Sequence, residues 1–224
     1  VSGESAAARR ARALDDEAMA HARAGRLARA LPLWGEALRL APDDVDVLVH
    51  FGHGLGAAGE HQKGAELATL AAQRAPDSAA PWLLLGQLAR DAGQPARALE
   101  AFALAQARAQ GAAAVDVAVA IAQTLCGLER YDDADRALAG VVADRVDVCV
   151  VRALVAAAAG DGDGAHAFLT RAAEIDPLHP EPFKRLAMLV GARDRALGLE
   201  LAQHAVELAP HDDEAKAVRD ALRS

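Results

Sequence analysis

His50 and His53 stand three positions apart, in a stretch whose apolar residues recur with helical spacing. At that separation both imidazoles lie on one face of a helix, an arrangement able to hold a metal ion. A metal centre needs further donors, and no acidic or thiol ligand is evident beside them. The pair therefore reads as part of a binding groove or surface, and neither metal nor cofactor is expected. Asp161-Gly162-Asp163-Gly164 has the opening of an acidic calcium loop. A calcium loop also needs later oxygen donors and a distal Glu at fixed spacing. Here the chain runs straight into an apolar-periodic segment, so a turn between helices is expected. Cys126 and Cys149 form no CxxC pair, and no base is evident in reach of either. Cys149 falls at a core position, where a thiol behaves as a small apolar group. The acidic pairs Asp15-Asp16, Asp43-Asp44 and Asp132-Asp133 are read at helix starts or exposed faces, where they complement the helix dipole or are solvated. No G-x-S-x-G, P-loop or G-x-G-x-x-G is present. No constellation amounts to an active site, and the chain is not expected to be an enzyme.

The 224 residues are 53% hydrophobic and 25% charged but only 3% aromatic. A core of Ala, Leu and Val suits close helix packing and suits sheets poorly. The formal net charge of -8 opposes general nucleic-acid binding, which calls for a basic face. Two cysteines cannot build a disulfide framework, so a reducing, cytoplasmic setting is the simpler expectation. No apolar run is long enough to span a bilayer. The chain starts at Val1 without a methionine, so a missing signal peptide carries little weight about location. Arg dominates the cations, with Lys only at 63, 184 and 216, and Asn is absent; that bias points to a GC-rich bacterial genome.

The elements that carry these residues repeat. Amphipathic segments run into proline stops at Pro42, Pro76, Pro177 and Pro210. Between the stops lies a second punctuation at Gly25, Gly59, Gly93, Glu129 and Gly160, each a short turn between two apolar-periodic segments. Proline halts a helix and glycine ends one in the left-handed conformation. Each unit is thus helix A, tight turn, helix B, stop.

The residues within the units resemble the tetratricopeptide pattern of W-x2-L-G-x2-Y, A-x3-F and P. The third unit fits best, with Trp82, Leu85, Gly86, Ala98 and Phe102, though Ala89 and Gln110 depart from it. Small residues fall where A and B would cross, at Ala18, Gly52, Gly86, Ala122, Ala153 and Ala187 on helix A. The resemblance implies an all-α fold, an α-solenoid with a right-handed superhelix of about six such units plus a C-terminal capping helix. The units are placed near 11–44, 45–78, 79–112, 115–145, 146–179 and 180–210. Residues 1–10 form an extension or the start of the first helix, and 211–224 form the cap. The fourth unit is the least regular, and a local break is expected near 139–148.

In the family so resembled, helix A lines a concave face through its second, fifth, sixth, ninth and twelfth positions. That analogy assigns Val49, His50, His53, Leu83, Leu84 and Gln87 to a peptide-binding groove. It adds Asp116, Val119, Gln123, Val150, Leu154, Lys184 and Met188. The expected groove has an apolar floor and an acidic rim. The Lys/Asn/Arg clamp by which some members hold chaperone tails is missing.

The resemblance implies a non-catalytic scaffold or adaptor that binds a peptide or helix of another protein. Neither nucleic acid nor membrane insertion is expected, and the chain would be a monomer or weak homo-oligomer. Two alternatives are a recruiting module of a larger transferase or hydroxylase and a self-assembling array.

Overall fold

The structure is a computed structural model that describes residues 5–142 and 144–223. Among the described residues it is built of helices with no strand. Helices α1 (Ala6–Arg23) and α2 (Leu27–Leu40) form the first hairpin, followed by α3 (Val45–Ala57) with α4 (His61–Arg74) and α5 (Ala80–Asp91) with α6 (Pro95–Gln106). Then come α7 (Ala112–Gly127) and the short α8 (Tyr131–Ala137). The hairpins α9 (Val146–Ala158) with α10 (Gly162–Ile175) and α11 (Pro180–Gly191) with α12 (Arg195–Leu208) follow, and α13 (Asp213–Arg223) ends the chain. The first helix begins earlier than residue 11, because Ser5 caps it by accepting from the Ala8 amide at 3.0 Å. Pro42, Pro76, Pro177 and Pro210 each lie just beyond a B helix, where no further turn can form.

The contacts divide the chain into two compact units, Val1–Thr124 and Leu125–Ser224. The division falls inside α7, ahead of the stretch where the sequence suggested a break. Ahead of that stretch α8 is only 7 residues long, and within it Gly140 takes φ 77° and α9 starts at Val146. The turn before α8 differs as well. Glu129 adopts φ 58° where Gly25, Gly59, Gly93 and Gly160 serve four of the other turns. A side chain at that φ costs about 1 kcal/mol that glycine does not incur.

In the first unit, neighbouring A helices and their B partners close around small residues. Ala18, Ala30 and Ala98 are fully buried, and Gly52, Gly64 and Gly86 are buried with them. Large side chains then fill what the small ones leave. A Cβ on Gly86 would lie 2.3 Å from Phe102 Cδ1, and one on Gly54 would lie 2.3 Å from Trp34 Cζ3. Both rings are buried, so glycine at these two positions is what lets an aromatic ring lie against helix A. The second unit mostly uses alanine at the crossings, with Ala134, Ala153, Ala165 and Ala187 buried beside Leu138 and Leu169, and Gly198 of α12 lies directly against Gly191 of α11. Both cores need stacked neighbours, since one hairpin cannot cover its own apolar stripe.

Candidate binding face

The inner positions of the A helices separate into two kinds. The fifth position is closed. Asp15, Val49, Val119, Val150 and Lys184 are all buried, and Leu83 is half-buried against the Ala98, Phe102 and Ala120 cluster. At the sixth position Leu84 is fully buried too, in one cluster with Leu48, Val49 and Leu88. The apolar floor expected from Val49, Leu84, Val119 and Val150 is therefore corrected: these side chains form core. Val49 packs with Ala68 and Ala71 of α4 and Leu84 of α5, and Val150 with Leu169 and Ala172 of α10 and Leu186 of α11, so the paired B helix and the next A helix together close the fifth position there.

The ninth position is open in every A helix. Met19, Gln87 and Leu154 are half-exposed, while His53, Gln123 and Met188 are exposed. At the twelfth position four of the six residues are small, Ala22, Gly56, Ala157 and Gly191, and Leu88 lies over Gly56 as Leu222 lies over Gly191. In the first unit the open strip presents hydrogen-bonding side chains. Arg90 Nη1 donates to Gln123 Oε1 at 3.0 Å. Gln87 Oε1 is buried with no partner among the described residues. Asp116 is half-buried at a second position.

A closed fifth position imposes a condition on charge, because a buried charge must be paired. Asp15 was read from the sequence as exposed, and it is buried. Its Oδ1 accepts from Trp34 Nε1 at 2.8 Å, and its Oδ2 lies 2.9 Å from His50 Nδ1. The hydrogen bond from Asp15 holds the His50 pKa above its ordinary 6.5, against the opposing effect of burial, with help from the charges of Asp15, Asp46 and Asp44. His53 moves the other way: loss of solvation and the charge of His50 hold it below 6.5, opposed by Asp91. So one acidic group does lie beside the histidines, from a helix that sequence spacing could not bring near. Among the described residues no group of three or more His, Cys, Asp or Glu could hold a metal ion.

Lys184, expected to face a ligand, is likewise enclosed. Its Nζ lies 2.7 Å from Glu181, 3.4 Å from Asp212 and 2.6 Å from Glu214. Burial acts to lower its pKa, but the bonds from Glu181 and Glu214 outweigh that and raise it well above the lysine range. The residue ties α11 to the start of α13. Both thiols are pushed up by burial, which leaves them poor nucleophiles. Asp161 caps α10 by accepting from the Gly164 amide at 2.8 Å, so the acidic Gly-rich run is a turn with a helix start. Among the described residues no helix is long and apolar enough to cross a membrane.

No family model matches the chain. No curated protein matches it in sequence. Solved structures do match in fold. A chain of the APC/C hetero-tetramer Cut9–Hcn1 superposes with a TM-score of 0.73 at 12% identity, covering 96% of this chain and 43% of that one. This chain thus spans less than half the length of that neighbour. Pseudomonas aeruginosa PilF matches with a TM-score of 0.71 at 12% identity over 97% of this chain and 100% of its own. YrrB, described as a TPR protein with an unusual peptide-binding site, matches with a TM-score of 0.51 at 17% identity over 84% and 97%. The fold is that of the tetratricopeptide repeat.

Proposed function

We propose that the chain is a non-catalytic scaffold that binds a segment of another protein along the open A-helix positions within a unit. One observation carries this reading: the ninth position stays open in every A helix while the fifth is closed, and its residues are Met19, His53, Gln87, Gln123, Leu154 and Met188. None of the six is an acid, Lys or Arg. An open face that serves solubility alone favours charged side chains, whereas amide, imidazole and thioether groups suit contact with peptide backbone and apolar side chains. In the first unit the donors and acceptors of His53, Gln87 and Gln123 suit the main chain of an extended segment. This differs from the apolar floor with acidic rim suggested by the sequence.

The test is selection of binders from a displayed library of random peptides against the purified chain. Affinities are then measured for His53→Glu, Gln87→Glu and the B-helix control Gln73→Glu. Loss of binding in the first two, with circular dichroism unchanged, supports the reading. Equal affinity for all three would remove it.

A further inference from the structure

The second unit contains a pocket of about 230 Å3 at a place that Leu84 and Leu88 occupy in the first. The two units align through α3 with α9 at 13 residues each and α4 with α10 at 14, and through Pro81, Trp82 and Gly86 of α5, which correspond to Pro182, Phe183 and Ala187 of α11. In this register Leu84 corresponds to Arg185 and Leu88 to Leu189, while Gly52, Gly56 and Gly64 correspond to Ala153, Ala157 and Ala165.

In the first unit two leucines sink onto three glycines. Leu84 Cδ2 comes within 2.8 Å of where a Cβ on Gly52 would stand, and Leu88 Cδ2 within 2.5 Å of one on Gly56. Both leucines are buried. In the second unit three methyl groups occupy that space, and Leu189 remains half-buried. Arg185 does not fill the place of Leu84, because its Nη2 turns to Glu181 Oε1 at 2.6 Å. The space left is walled by Leu154, Ala157, Leu169, Met188 and Leu189. Met188 stands at its mouth, 56% exposed, with a side chain able to adapt to what enters.

Two features define the occupant. An apolar cavity of ~150 Å3 holds a molecule of benzene size, so this space takes one leucine-sized side chain. Arg185 Nε is buried and has no acceptor among the described residues. Since Glu181 already balances the guanidinium charge, a neutral acceptor suits Nε, and the acceptor next to any peptide side chain is its main-chain carbonyl. We propose that this pocket anchors one leucine side chain of a partner segment, whose carbonyl oxygen accepts from Arg185 Nε. The proposal rests on the reading of the A-helix face as a protein-binding surface and assigns the second unit a specific anchor.

The chain has two methionines, Met19 and Met188, so its methyl NMR spectrum reports the pocket and supplies an internal control. The full chain is titrated with N-acetyl-leucine N-methylamide and, separately, with the glycine analogue. The Met188 methyl is expected to shift saturably with leucine while Met19 stays still. The preference over glycine should be about tenfold or more, as burying a leucine side chain implies. Arg185→Leu, which restores the residue of the first unit, should abolish the saturable shift and raise Tm by a few degrees. A Met188 signal that stays still, or that responds equally to both probes, overturns the anchor. So does an Arg185→Leu chain with lowered Tm. Library peptides that bind through His53 and Gln87 while the leucine probe fails would sink the anchor alone; a leucine response with no library binder would sink the broader reading instead.

Discussion

His50 Nδ1 and Asp15 Oδ2 lie 2.9 Å apart, joining the first A helix to the second through a carboxyl group that also holds the Trp34 indole. Removing that carboxyl leaves the buried Trp34 indole and the half-buried His50 ring without an acceptor. Asp15→Ala should therefore cost about 3 kcal/mol in denaturant unfolding. The same variant should bring the His50 titration, followed by NMR, down toward its ordinary value.

The two histidines should respond to pH in opposite senses. The His50 pKa is raised in the folded chain, so its stabilising contribution is complete below 6.5 and is lost as pH rises through the elevated folded value. The His53 pKa is lowered, so stability falls as pH drops below 6.5 toward the folded value, because the unfolded chain takes the proton first. Urea midpoints across that range should show His53→Gln losing less stability on acidification than wild type. A chain whose acid sensitivity is the same with and without His53 would contradict the assignment.

Lys184 supports a prediction about the C-terminal helix. Lys184→Ala leaves the half-buried Asp212 without its cation and Glu181 with Arg185 alone, and should cost about 3 kcal/mol. Lys184→Met keeps the packing and should cost less. In both variants the amides of α13 should exchange faster than those of α9 and α10. Uniform exchange across the unit would show that Lys184 does not hold the helix.

Backbone positions offer a paired test. Glu129→Gly relieves a side chain at φ 58° and should stabilise the chain by about 1 kcal/mol. Gly86→Ala drives a methyl group into the Phe102 ring and should destabilise it by about 2 kcal/mol. Thermal unfolding distinguishes the signs directly.

Periodicity and punctuation made the hairpins legible, since Pro42, Pro76, Pro177 and Pro210 stop helices wherever they sit. The crossings were legible too, because Ala18, Gly52 and Gly86 have no other use at that spacing. The site was legible only in part. A helical period identifies the inner face, but whether Val49 or His53 opens to solvent depends on how the next A helix crosses it. Asp15 read as exposed because Trp34 and His50, which bury it, lie 19 and 35 residues away. Lys184 read as a ligand contact because two of its partners, Asp212 and Glu214, come from α13, 28 and 30 residues on.

The central claim is that the ninth-position strip touches the partner. The most direct measurement is photo-crosslinking, with benzoylphenylalanine placed at His53, at Gln123 and at the B-helix position Gln73, using a library-selected peptide as bait. Adducts at His53 and Gln123, competed by unlabelled peptide and missing at Gln73, are the predicted result. An adduct of equal yield at Gln73, or none at His53 and Gln123 under saturating peptide, would contradict it.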